Sequence, residues 1–292
     1  LPAVRLALPA VRLALPAVRL ALPAVGFALP AVGFTRGRPA LAQLTAVRPA
    51  LIATDLDGTF VDAVGEVSQV NRAALELAAQ QGVPVVVATG RPSRWLGVLD
   101  DLPGIHPQVV VSNGAGVFDL EQGRHTTVHG LDPQVALSVA DDLRAAIPGL
   151  VFALEWGGHF GCEPQLPQER GEWLRVGSLA ELAAEPEPVL KLCAFHAELN
   201  SDELALRGVE VIADRLTVTH SHLGEYGLLE ISAPSVTKAS GLAAVCTELG
   251  VESAQVAAFG DMPNDLPMLA WAGQGFAIAQ GHHLLLRAGF AR

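Results

Sequence analysis

The sequence predicts an α/β protein: a doubly wound, Rossmann-like parallel-sheet core into which an α+β cap domain is inserted. From Pro49 onward, short apolar runs alternate with stretches of helical spacing, and the same alternation returns after Thr237. The residues between read instead as strands in which apolar and polar side chains alternate. The expected boundaries are a repeat tail over 1–47, a core over 48–121 plus 234–292, and a cap over 122–233.

The tail carries L-P-A-V-R-L-A three times, then L-P-A-V-G-F-A and L-P-A-V-G-F. A seven-residue period invites a coiled coil, but Pro2, Pro9, Pro16, Pro23 and Pro30 exclude it, each removing a helical hydrogen bond and clashing with the preceding turn. The same prolines, interleaved with arginines, fit neither a signal nor a transit peptide. No methionine precedes Met262, so Leu1 is not expected to be the natural start. The segment reads as a low-complexity, disordered tail without a function.

In the first half of the core, A-L-I-A-T-D is a strand followed by a D-G turn. Ser68 caps a helix with apolar Val70, Ala73, Ala74, Leu77 and Ala78, and Gly82 closes it. P-V-V-V-A reads as a buried strand, Pro92 to Leu99 as a short helix, and Q-V-V-V-S as a third strand. In the second half, Lys238 to Leu249 reads as a helix, Gln255 to Phe259 as a strand, Leu266 to Trp271 as a helix and Gly275 to Ala279 as a strand. Strands and helices in alternation give a parallel sheet covered on both faces. In the cap, L-V-F-A-L-E-W, V-L-K-L-C-A-F and L-T-V-T-H alternate as strands of an antiparallel sheet with one wet face, joined by helices such as Asp132 to Ala146.

Composition narrows the function. Half of the 292 residues are apolar, yet no uninterrupted apolar run reaches the roughly 18–20 residues of a membrane span, so no membrane partner is expected. The net charge is −11, and no acidic residue precedes Asp55, so the folded part is more acidic than the total. An acidic body argues against nucleic acid, whose binding needs clustered Lys and Arg. Cys162, Cys193 and Cys246 form no C-x-x-C pair and leave an odd thiol, which fits a reducing cytoplasm.

Ligands of open α/β sheets bind beyond the carboxyl ends of the strands. The first strand ends at Asp55, followed by Leu56, Asp57 and Gly58; the second ends at Thr89, followed by Gly90 and Arg91. The late strand ends in F-G-D-M-P-N-D, which brings Asp261, Asn264 and Asp265 to the same edge. Four carboxylates on one edge repel unless a cation sits among them, and an all-oxygen set suits Mg²⁺. Lys238 stands out because Lys191 is the only other lysine in the chain.

With these motifs in hand, the sequence resembles the haloacid dehalogenase superfamily, specifically its Cof-type phosphatases with a large inserted cap. The matching stretches are D-L-D-G-T at Asp55 to Thr59, A-T-G-R at Ala88 to Arg91 and S-N-G-A at Ser112 to Ala115. T-K-A-S-G-L at Thr237 to Leu242 and F-G-D-M-P-N-D-L-P-M-L at Phe259 to Leu269 complete the set. The resemblance implies Mg²⁺-dependent hydrolysis of a small phosphate monoester, a sugar phosphate or phosphorylated cofactor, through a phospho-aspartate on Asp55. It implies Asp57 as the acid and base, and Thr89 and Lys238 as catalytic partners of the phosphate. Asp55, the main chain of Asp57 and Asp261 hold the metal, while Asp265 holds a metal-bound water or Lys238. Leu56, Gly90 and Asn264 contact the phosphate. Cap candidates for choosing the leaving group are His159, His220, His222, Tyr226 and Glu230; His220 and His222 share a strand face but lack a third metal ligand.

A phosphotransferase or mutase shares the first half-reaction and remains open, as does a catalytically poor binder of phosphorylated ligands. The second has its motive in the segment after Ala279, which departs from the family's pattern and is expected to leave a sheet edge exposed.

Overall fold

The structure, a computed structural model, describes residues 48–166 and 173–292 of the chain. The repeat tail lies outside the described residues, which fall within one compact unit, Val47–Arg292.

In chain order the elements are β1 (Leu51–Thr54), α1 (Gln69–Gln80), β2 (Val85–Val87), β3 (Gln108–Val111), β4 (Gly116–Asp119) and β5 (Arg124–Val128). The middle of the chain supplies α2 (Pro133–Ala146), β6 (Val151–Glu155), β7 (Phe160–Cys162), β8 (Leu174–Val176), α3 (Leu179–Ala183), β9 (Lys191–His196), α4 (Ser201–Ile212), β10 (Thr217–Thr219) and β11 (Gly227–Ser232). The remainder is α5 (Lys238–Leu249), β12 (Val256–Gly260), α6 (Leu266–Trp271), β13 (Gln274–Ala277) and α7 (His283–Ala288).

The core sheet is parallel, ordered β13-β12-β1-β2. Leu51 to Thr54 pair with Val256 to Phe259 on one side, and Ile52 to Thr54 with Val85 to Val87 on the other. β3 joins beyond β2 through a parallel bridge between Ala88 and Val110, then pairs antiparallel with β4, and β4 with β5. Strands with apolar residues on both faces need cover on both, and receive it. On one face Leu242, Val245 and Cys246 of α5 and Met268 and Leu269 of α6 pack on the sheet; Leu75 and Ala78 of α1 cover the other. The chain leaves β1 towards β2 and β3, and returns to its other side as β12. This reversal opens a crevice at the tips of β1 and β12.

Local signals account for the helix ends. Ser68 accepts the Asn71 N–H at the start of α1, and Thr237 and Ser240 form a reciprocal cap on α5. Gly250 closes α5 in the left-handed region (φ 66°). Pro92 to Leu99 is not the expected α-helix but two 3₁₀ turns, Ser93–Trp95 and Gly97–Leu99. Gly97 lies mid-segment, and the tighter turns bury Leu96 and Leu99.

The second sheet runs β10-β11-β9-β6-β7-β8, antiparallel except for β7 with β8. One face packs on α2, α3 and α4, through residues such as Phe152, Leu154, Leu192, Leu204 and Leu229. Its polar face was expected to be wet and is not: Glu155, Lys191, Cys193 and Glu230 are all buried. The alternation is real, but this face lies over the strand tips of the core instead of facing solvent. The expected open edge also differs. β13 is the edge strand, and the chain end covers it with α7 and a parallel bridge between Phe276 and Ala291. Among the described residues no helix is long and apolar enough to cross a membrane.

Gly114 (φ 98°) marks the tightest contact between the two halves of the core; a Cβ there would stand 2.0 Å from the carbonyl oxygen of Thr237. Gly114→Ala is therefore expected to lower unfolding stability by about 2–4 kcal/mol, read by urea denaturation. A change within about 0.5 kcal/mol would show that the start of α5 moves freely.

Candidate active site

Asp55 follows β1 directly, with its N–H bonded to Phe259 O at 2.9 Å and its side chain buried. Lys238, the first residue of α5, is also buried. Its ammonium donates to Asp55 Oδ1 at 2.5 Å and to Asp265 Oδ1 at 2.6 Å. The other oxygen of Asp265 accepts the N–H groups of Asp261 and Met262, both at 2.9 Å. Asp265 thus orients the lysine and the Asp261 turn. Burial weakens the Lys238 ammonium, but Asp265 and Asp55 outweigh it, and its pKa is raised.

Asp261 lies past β12 and accepts the Thr59 hydroxyl at 3.0 Å. Carboxylate oxygens of Asp55, Asp261 and Asp265 lie within 4.8 Å of one another. Burial pushes the Asp55 carboxyl well above the ordinary range, Lys238 opposing and Asp265 and Asp261 adding to it. Burial and then Asp265 raise Asp261 as well. Gly58 (φ 81°) is required here, since a Cβ would stand 2.4 Å from Asp261 Oδ2. One lysine cannot neutralise three crowded carboxylates. The all-oxygen donor set and the glycine-lined approach to Asp261 fit a hard divalent cation, which Asp55 and Asp261 could hold.

The structure places Asp57 differently from Asp55. Its half-exposed carboxylate is held by Arg91, Nε at 2.8 Å and Nη2 at 2.5 Å. Thr89 is fully buried; its hydroxyl accepts Arg91 N–H at 3.0 Å and its carbonyl accepts Asn113 N–H at 3.1 Å. The Leu56 side chain belongs to the apolar core, so only its main chain is available to a ligand. Asn264 Nδ2 donates to Asn113 Oδ1 at 2.9 Å. Asn113 Nδ2 and Asn264 Oδ1 are buried without a protein partner, which is the signature of a site made for a polar guest. Ser112 and Asn113, at φ 49° and 59°, hold left-handed backbone that carries Asn113 to this place.

A cavity of about 500 Å³ opens above these groups, lined by Asp55, Asp57, Gly90, Arg91 and Asn264 from the core. Its roof is the buried polar face of the second sheet. Lys191 spans the gap, donating to Gly90 O at 2.9 Å and to Glu230 Oε1 at 2.6 Å. Burial would raise Glu230, but Lys191 overcomes it and holds the carboxyl below its usual range. Arg94 binds Glu155 through both guanidinium arms, at 2.5 and 2.8 Å. Trp95, Phe160, Phe195 and Tyr226 add an aromatic wall.

Of the five cap candidates, His222, Tyr226 and Glu230 line this cavity. His159 instead faces Glu187 (3.3 Å) and His220 faces Asp202 (3.1 Å). His222 stacks on Tyr226 with ring centroids 4.2 Å apart, so His220 and His222 do not form the considered metal pair. Sequence reasoning missed Arg91, Arg94, Asn113, Glu155 and Lys191 as site residues. Lys191 carried a signal in its rarity, and Arg91 and Asn113 in the A-T-G-R and S-N-G-A stretches that hold them; Arg94 and Glu155 carried none.

A family model described as haloacid dehalogenase-like hydrolase matches residues 52–288. The chain belongs to this family. Phosphatase YwpJ of Bacillus subtilis (strain 168) is 27% identical over 259 residues, which cover 78% of this chain and 88% of that protein. The 5-amino-6-(5-phospho-D-ribitylamino)uracil phosphatase YitU of the same organism is 27% identical over 242 residues, 80% and 88% of the two chains. A solved structure of a haloacid dehalogenase-like hydrolase from B. subtilis superposes with a TM-score of 0.70 at 25% identity, covering 83% of this chain and 93% of that one. The protein is thus a hydrolase of the haloacid dehalogenase superfamily, and YwpJ and YitU, two of its relatives, are named phosphatases.

With no divalent cation added, the raised carboxyls bind protons in the folded state that the unfolded chain releases. They contribute stability at low pH and lose it as pH rises from the ordinary carboxylate range. The Tm gain on adding Mg²⁺ is therefore expected to be larger at about pH 8 than at about pH 5, by calorimetry. Lys238→Met leaves the carboxylates buried without their counter-ion, and is expected to cost about 3–5 kcal/mol in EDTA.

Proposed function

We propose that this protein is a Mg²⁺-dependent phosphatase of small phosphate monoesters that works through a phospho-aspartate on Asp55. The observation that carries the reading is the pairing of a buried Asp55 with the Lys238 ammonium at 2.5 Å, beside Asp261 and at the floor of a cavity roofed by the second sheet. Asp55 and Asp261, with the Asp57 carbonyl, hold the cation. When bound, the cation offsets the repulsion between the carboxylate and the anionic phosphate and polarises the phosphoryl oxygens.

An Asp55 oxygen attacks phosphorus, the bond to the ester oxygen breaks, and Asp57 gives that oxygen a proton. Asp57 then takes a proton from the water that displaces Asp55 from phosphorus. For this Asp57 must turn from Arg91, which stores its carboxylate at the cavity mouth between turnovers. Lys238, Thr89, Asn264 and the main chain at Leu56 and Gly90 gather the charge of the transferring phosphoryl group. Asn113, with its unpartnered amide nitrogen, joins them.

The aromatic wall of Trp95, Phe160, Phe195 and Tyr226 favours a flat leaving group over a hexose, in keeping with the uracil named in the activity of YitU. Phosphorylated cofactors and their precursors are the class that fits best.

Hydrolysis of a generic aryl phosphate by the full chain is expected to need Mg²⁺, to stop in EDTA, and to fall at least about a thousandfold in Asp55→Asn. Acid-quenched reactions should yield a phosphorylated Asp55 peptide by mass spectrometry; turnover that survives Asp55→Asn would overturn the scheme. Trp95→Ala is expected to raise KM about tenfold for a heteroaryl phosphate and to leave that for a short alkyl phosphate near its starting value. Equal effects on both would remove the case for a flat leaving group.

A further inference from the structure

Asp202, in the first turn of α4, lies where the second sheet's helices meet the C-terminal turn of the core. Three histidines converge on its carboxylate. His220 Nε2 and His282 Nε2 reach the same oxygen at 3.1 and 3.2 Å, and His283 Nδ1 stands 4.0 Å from the other. His220 and His282 are buried, and His220 Nδ1 has no hydrogen-bond partner. His283 and Asp202 are partly exposed. One donor atom from each of Asp202, His282 and His283 lies within 4.8 Å of the other two.

We propose that Asp202, His282 and His283 form a second metal site, for a zinc-class divalent cation, which fastens α4 to the C-terminal turn. Zn²⁺ with ligands at about 2.0–2.2 Å in a tetrahedron sets neighbouring donors about 3.4 Å apart. The Asp202–His282 edge is already that short, and the exposed His283 side chain moves inward to complete the face. Solvent at the exposed side supplies a fourth ligand. His220 donates its Nε2–H to Asp202 and orients the carboxylate.

Two imidazoles and one carboxylate select against Mg²⁺, so this site and the all-oxygen cluster at Asp55 take different metals. Coordination through His282 Nε2 moves the ring proton to Nδ1. That surrenders the long 3.3 Å bond from the Leu284 N–H. The site also touches catalysis: His282 N–H donates to the carbonyl of Asp261 at 2.6 Å. A cation here couples the position of the cap to the turn that carries a catalytic carboxylate.

The test is zinc binding by the full chain in excess Mg²⁺, by calorimetry and by metal analysis after gel filtration. One equivalent is expected in the wild type and in Asp261→Asn. His283→Ala, at an exposed position, and Asp202→Asn should each weaken it at least tenfold. Co²⁺ in place of zinc should give the strong visible absorption of a four-coordinate centre, and His283→Ala should lose it. No zinc uptake, uptake indifferent to both substitutions, or uptake lost in Asp261→Asn would overturn the proposal.

Discussion

A buried ammonium, that of Lys238, organises the catalytic half of this molecule. Removing a lysine from water is unfavourable unless opposite charges surround it, and here two carboxylates do so from two different strands' tips. The requirement runs outward through the fold. The start of α5 must lie at the tip of β1, which is why Gly241 faces Val110 and Gly114 with no room for a side chain. Asp265 must serve both lysine and the Asp261 main chain, which fixes the turn after β12. Asp55, Lys238, Asp265 and the Asp261 turn are therefore one electrostatic unit.

A second constraint joins the two sheets. Lys191 has its ammonium in a space enclosed by both, bonded to Gly90 on one side and to Glu230 on the other. Arg94 reaches in the opposite direction, from the core to Glu155 of the roof. Each charge is buried only while the sheets are together. Water solvates such ions well, so parting the two sheets would cost less than parting an apolar seam. A cap that must release product gains from such a lining.

Much of this was legible beforehand, and the reasons are local. Asp55, Asp261 and Lys238 follow or begin elements whose apolar spacing is unambiguous, so strand ends and helix starts locate them. The bounds of α5 follow from Thr237, Gly250 and the apolar positions between. What escaped depends on partners distant in the chain. Arg91 looks like an ordinary strand-to-helix turn until Asp57, 34 residues away, is beside it. The polar side of β9 looks wet until another sheet covers it. The histidines at 282 and 283 look like a tail until α4 supplies Asp202. Pro92 to Leu99 differs for a local reason: Gly97 interrupts the segment, which forms two 3₁₀ turns in place of the expected helix.

All three cysteines of the chain are buried, and burial pushes the Cys193 thiol up to about 12 and that of Cys246 to about 11. The folded surface is in consequence chemically blank towards thiol reagents. A pair of engineered cysteines, Val64→Cys on the exposed core loop and Leu223→Cys on the exposed cap loop, would be its only reactive points. Dyes attached there would act as an optical ruler between the core and the second sheet, with no native residue needing removal first.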